Sequence, residues 1–203
     1  MKRLFFSIIT LVVAYMYAAT TALAANPDAT KILDKTVAKI NISRGVKMNF
    51  SVSGAKFSQK GTLTVKGQKF HANTANAKIW YDGKTQWTYN KASDEVNIAS
   101  PSASVQQQMN PYHFLNLYKQ KGYTKTATSE ANKYTVHLTG KGKNISEMYI
   151  VVDKNYNLKQ VRFKQAGNWT TISVSNIRSS LVPDSYFRFN SKEYPKAEII
   201  DLR

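Results

Sequence analysis

Cysteine is absent from this chain of 203 residues. Thiol nucleophiles, thiolate metal ligands and disulfides are therefore excluded together. Acids are scarce: Asp and Glu number 12 against 29 Lys and Arg, giving a net charge of +17. Those acids sit mostly near turns (Asp82, Asp94, Asp153), where short side chains bond their own backbone, rather than in pairs suited to acid–base work. The histidines, His71, His113 and His137, are far apart and show no metal-ligand spacing. No G-x-S-x-G elbow, P-loop or G-x-G-x-x-G run occurs. The sequence therefore points to no catalytic centre, and an exported hydrolase built from distant residues is only a third reading. No cofactor is expected.

Long apolar runs are also missing, except at the N-terminus. Lys2 and Arg3 precede an almost wholly apolar stretch from Leu4 to Tyr17, and Ala22-Leu23-Ala24 fits a small-x-small cleavage site. This pattern predicts a signal peptide over residues 1–24 and a mature single domain over 25–203. No Cys follows the cleavage site, so the product is expected to be an unacylated, soluble periplasmic protein. Four N-x-S/T sequons, at Asn41, Asn49, Asn144 and Asn168, are read as chance in a bacterial envelope. The mature charge falls to +15 once Lys2 and Arg3 leave. Its lysines are scattered, with no arginine-rich stripe and no helix-turn-helix, RNP or zinc-finger pattern, so no nucleic acid is expected. Solvated sheet faces are the plain explanation, and a basic face meeting an anionic membrane is a second one.

Aromatic residues, by contrast, are abundant. The segment Ile79 to Asn90 places Asp82-Gly83 between two aromatic runs, a strong hairpin signal because Gly adopts the positive φ of a tight turn. Pro101 then ends a third strand. Around this hairpin the periodicity changes repeatedly. Asn26-Pro27-Asp28 opens an amphipathic helix predicted to about Ile42, with Ile32, Leu33, Thr36, Val37 and Ile40 on one side. After Gly45 the period becomes two. Short strands are expected at 46–52, near Phe57, and at 62–65, 70–74, 77–82, 85–90 and 94–99. A helical section from Ser102 to Gly122, interrupted at Pro111, separates these from strands at 132–139, 145–152, 157–164 and 168–176. Short turns join neighbours, so the sheet should be antiparallel, and some ten strands should curl. The expected fold is mainly β with an α lid: an incomplete antiparallel β-barrel, a half-barrel covered by short helices.

Phe50, Phe70, Trp80, Trp87, Tyr89, Met109, Phe114, Met148, Ile150, Phe163 and Trp169 fall on positions expected to face inward, and Val105 and Leu115 share the apolar stripe of the helical section. Any one of them suits a closed core. Together, beneath a detachable lid, they suit a cavity for an acyl chain, each buried methylene contributing about 0.8 kcal/mol.

The chain resembles the periplasmic outer-membrane lipoprotein carrier family, the LolA-like proteins. The resemblance rests on Gly61-Thr62-Leu63-Thr64-Val65-Lys66, on Tyr81-Asp82-Gly83-Lys84-Thr85-Gln86-Trp87-Thr88-Tyr89-Asn90, on the helical insert after Pro101, and on the ending Phe187-Arg188-Phe189 through Asp201. It implies a carrier that needs no cofactor and acts as a monomer. It implies acylated lipoproteins as cargo, an inner-membrane ABC transporter as donor and an outer-membrane receptor as acceptor. The implied ligand surface includes Phe70, Trp87, Tyr89, Met109, Phe114 and Leu115. One departure stands out. The family's lid-holding Arg follows a V-K pair, whereas here Val65-Lys66 is followed by Gly67, with Lys66 and Lys69 as the nearest cations. A binding protein for another lipid or apolar small molecule is the alternative reading.

Overall fold

Helix α1 spans Ala29–Lys39. Asp28 caps it, its carboxylate accepting from the amides of Thr30 (2.8 Å) and Lys31 (3.1 Å). The expected cap at Asn26 is thus displaced by two residues, because Asp28 reaches the free first-turn amides. Ala29, Ile32, Leu33 and Thr36 line the buried side, the hydroxyl of Thr36 donating back to Ile32 O. Lys39, in the last turn, donates to Asn155 O (2.6 Å) and Asn157 Oδ1 (3.0 Å), fastening the helix end to a distant turn. The computed structural model describes residues 26–40, 43–102 and 117–203.

One antiparallel meander supplies most of the rest. The strands are β1 (Val46–Ser53), β2 (Ser58–Lys66), β3 (Lys69–Thr74), β4 (Ala77–Tyr81), β5 (Gln86–Asn90) and β6 (Glu95–Ala99). They continue as β7 (Thr124–Ser129), β8 (Lys133–Thr139), β9 (Ile145–Asp153), β10 (Leu158–Gln165), β11 (Asn168–Ser179) and β12 (Glu198–Asp201). Their order in the twelve-stranded sheet is β12-β6-β5-β4-β3-β2-β1-β11-β10-β9-β8-β7. The ends, β7 and β12, do not meet, so the barrel stays open, as a half-barrel. The junction of the two halves is the antiparallel pair β1–β11.

Two strands escape the sequence patterns. β7, Thr-Lys-Thr-Ala-Thr-Ser, is an edge strand in which only Ala127 is buried, so it shows no apolar alternation. β12 pairs parallel with β6 after the chain has crossed the sheet, and at Glu-Ile-Ile-Asp it is too short to announce itself. Between Leu117 and Lys119, where a helix was expected to end, the chain makes a single 3-10 turn. Tyr118 in that turn donates to Asp34 of α1; burial, then this bond, raises its pKa.

Side chains alternate across the sheet, and the register assigns each to a face. The inner face, under α1, carries Val46 and Met48 of β1, Leu63 and Val65 of β2, and Phe70 and Ala72 of β3. On the other half it carries Val136 and Leu138, Met148 and Ile150, Val161 and Phe163. All of these are buried in one core cluster with Ile32 and Leu33. β4 is buried on both faces, Tyr81 inward and Trp80 outward. That double burial accounts for its near-continuous apolar sequence.

Candidate functional site

At β4 the apolar side of the sheet changes over. In β5 and β6 the inner positions are Gln86, Thr88 and Asn90, opposite Ala99, Asn97 and Glu95. The outer positions are Trp87 and Tyr89, opposite Ile98 and Val96. The expected site residues therefore divide. Phe50, Phe70, Met148, Ile150 and Phe163 lie on the inner face; Trp80, Trp87 and Tyr89 lie on the outer one. Trp169, paired with Lys164, is also outward. A single lining built from all of these is not what the sheet forms. Val105, Met109, Phe114 and Leu115, expected in the lid, lie outside the described residues, as does the segment 1–24.

On the inner face, Met148 and Ile150 are fully buried and Phe163 and Phe70 nearly so. Phe50 and Ile79 are half-buried and rest on the same core. Phe50 is paired across the ladder with Gly61 on one side and Val174 on the other. A side chain at position 61 would collide with Asn73 O at 2.1 Å, so glycine is required there for β3 to pair closely. Phe50 and Gly61 border a surface cavity of about 450 Å³ that crosses β1, β2 and β11 within their lengths. Further along the inner face, Tyr81 is paired directly with Gln86. The hydroxyl of Tyr81 and Oε1 of Gln86 are buried and have no hydrogen-bond partner among the described residues. Burial, and then the charge of Asp82, raises the pKa of the Tyr81 phenol, which stays a neutral donor. Leaving such groups unsatisfied costs about 1–3 kcal/mol each, so this polar pair amid apolar neighbours marks a place where a ligand group can bond.

The outer face is organised differently. After β11 the chain crosses it through two short 3-10 turns, Asp184–Phe187 and Ser191–Glu193, before adding β12. Its rings pack onto those of the sheet. Phe189 and Tyr194 meet Trp80 edge-on at 5.5 and 5.7 Å, Tyr194 lies 4.7 Å from Tyr89, and Tyr186 meets His71 at 4.9 Å. Asp184 receives both Lys66 and Lys69, which hold its carboxyl at about 2. Gly67, where the resemblance implies a lid-holding Arg, takes φ +58, and Lys66 and Lys69 on either side are bound to Asp184 of the C-terminal segment. Burial, then Lys78 and Lys47, pushes His71 down to about 4, so it is neutral at physiological pH. The alternation of β5 announced that Trp87 and Tyr89 share a face. Which face it was depended on Tyr186, Phe189 and Tyr194, far along the chain.

Among the described residues no group of acids and histidines could hold a metal ion. The open sheet, its helix on one face and the hairpin at Asp82-Gly83 agree with one family. The sequence model described as outer membrane lipoprotein carrier protein LolA matches residues 19–167. The chain belongs to the LolA family. Among solved structures, it is similar to an uncharacterized conserved protein from Thermus thermophilus, with a TM-score of 0.56 at 11% identity over 86% of this chain and 99% of that one. It also matches the LolA superfamily protein NE2245 from Nitrosomonas europaea, with a TM-score of 0.40 at 12% identity over 79% of this chain and 97% of that one. MucB in its complex with MucA from Pseudomonas aeruginosa gives a TM-score of 0.44 at 10% identity over 82% and 62% of the respective chains. No curated protein matches the sequence.

Proposed function

We infer that this LolA-family protein is a carrier for acyl chains in the bacterial envelope, its cargo being lipoproteins taken from an inner-membrane ABC transporter and passed to an outer-membrane acceptor. The chain would be exported, cut after Ala24, and act as a monomeric single domain without catalysis. The observation that carries this reading is the open sheet whose inner face is apolar from β1 to β4 and from β8 to β10, in a chain of the lipoprotein carrier family. The inner positions Phe50, Phe70, Ile79, Met148, Ile150 and Phe163 would line the chain's path, with the segment after Pro101, whose sequence predicts helix, as lid. Burying an acyl chain there contributes about 0.8 kcal/mol per methylene. Tyr81 and Gln86 would meet the cargo's ester or amide linkage, the phenol donating to a carbonyl.

The test is the composition of the apolar fraction extracted from protein purified from its own envelope and resolved by mass spectrometry. Acylated polypeptide is expected. Free lipid alone would transfer the reading to a lipid-binding protein. Absence of any apolar species, together with failure to take up a fluorescent fatty acid, would contradict a carrier of either kind.

A further inference from the structure

Between the sheet and the C-terminal segment, on the face away from α1, runs a trough lined by cations. It consists of two cavities, of about 450 and 590 Å³, that share Tyr186. The first is made by a β-bulge. β1 and β11 pair at Lys47 with Arg178 and again at Asn49 with Ser175, so Asn176 and Ile177 together oppose Met48. Asn176 takes the left-handed conformation, φ 52, that the extra residue demands. The bulge leaves Lys47 and Arg178 side by side, among Asn49, Asn176, Thr62 and Thr64. Among the described residues, no carboxylate lines this cavity. The second cavity adds Lys78 and Arg188, with His71 at its floor and a single acid, Glu193, already held by Asn190 at 3.0 Å. Among the described residues, neither Lys47, Lys78 nor Arg178 is in an ion pair. Lys47 instead lies over the Tyr186 ring at 5.3 Å, and Lys78 bonds the Tyr194 hydroxyl at 2.8 Å. Arg188 meets Asp82 only at 3.4 Å.

Three features point to one occupant. Uncompensated cations set among amides and hydroxyls form an anion site, and arginine's planar fork matches phosphate oxygens. The first cavity is open to solvent, because Lys47, Asn49, Asn176 and Arg178 are exposed. Tyr186 of its lining is 38% exposed, and Leu181, next in the chain to the lining residue Ser180, is 78% exposed. An exposed aliphatic side chain and a tyrosine beside lysine and arginine form the combination that settles at a bilayer interface. Soluble anions require no such apolar neighbours.

We propose that the bulge cavity formed by Lys47 and Arg178 receives the phosphate of an anionic phospholipid headgroup, so that this protein docks on membranes through its outer face while the inner face stays free for cargo. Leu181 and Tyr186 enter the interface beside it. Among the described residues, the lining of the bulge cavity holds no carboxylate to offset Lys47 and Arg178. This docking does not depend on the cargo and applies to empty protein.

Flotation with vesicles tests it, using empty full-length mature protein. Vesicles of equimolar phosphatidylglycerol and phosphatidylcholine should carry the protein, and vesicles of phosphatidylcholine alone should not. Lys47→Gln with Arg178→Gln should lower the partition coefficient about 30-fold, at roughly tenfold per 1.4 kcal/mol and 1 kcal/mol per cation. Lys141→Gln with Lys143→Gln, in the turn between β8 and β9, removes the same charge elsewhere and should change it less than about threefold. Leu181→Ser should weaken binding at high salt more than at low salt. Equal losses from the two double variants would overturn the proposal in favour of diffuse charge. So would equal binding to both vesicles. Unchanged unfolding midpoints confirm that the variants are folded. Because acyl-chain uptake is measured separately, failure here leaves the carrier reading intact.

Discussion

The two faces of this sheet are held by different physics. The inner face is aliphatic and closed by packing: Val65, Val136, Leu138, Met148 and Ile150 are fully buried and carry no polar atoms except the sulfur of Met148. The outer face, between β2 and β6, is aromatic and cationic, and it is closed by the chain's own C-terminal segment through ring contacts and ion pairs. Closure by jigsaw packing is cooperative and costly to breach. Closure by a strap of short turns is local and can open without unfolding the rest. The outer strap can therefore open while the packed core under α1 stays intact.

Truncation inside the core should have the largest effect. Met148→Ala should cost about 2–5 kcal/mol, read as a lower urea midpoint with unchanged slope. Tyr194→Ala on the outer face should cost about 1–2 kcal/mol globally, yet should raise hydrogen exchange of the β6 and β12 amides far more than that of β9. If exchange rises uniformly, the outer strap is part of the same cooperative unit and the contrast fails.

The pH response should separate the faces as well. His71 is held at about 4 against an ordinary 6.5. Between those values the unfolded chain binds a proton that the folded chain refuses, so stability falls as pH is lowered through this window and is flat above it. The expected loss is about 1–2 kcal/mol, because water reaches part of the ring and screens the charges. Replacing His71 with Gln should remove it. Below this window Asp184, Asp153 and Asp201, each held at about 2, lose their stabilising charges as they protonate. The smallest effect on folding is expected from Tyr81→Phe, within about 1 kcal/mol of neutral, since the hydroxyl has no partner among the described residues to lose. The same change should shorten the retention of a bound acyl ester, measured as its dissociation rate.

Much of this arrangement could be read from residues alone, and the reason it stopped where it did is physical. Alternation in Val46-Met48-Phe50 and the Asp82-Gly83 turn define strands and hairpins because both are local. β7 was invisible because an edge strand of threonines has no buried side to advertise. The face of Trp80, Trp87 and Tyr89 was misjudged as inward. Local alternation says only that two residues share a face, and long-range contact with Phe189 and Tyr194 decides which. For the same reason, the bulge at Asn176 left no sequence mark, since it exists only in the pairing with β1. The polar pair Tyr81 and Gln86 was likewise hidden inside the motif that carries the family likeness.

All three tryptophans, Trp80, Trp87 and Trp169, lie on the outer face. This gives the most direct test of cargo on the inner face. A fatty acid bearing a contact quencher along its chain should leave the fluorescence of the natural protein nearly unchanged on binding. It should strongly quench the added tryptophan of a Phe50→Trp variant. Strong quenching of the natural tryptophans, with none of the added one, would place the acyl chain on the outer face and contradict the account.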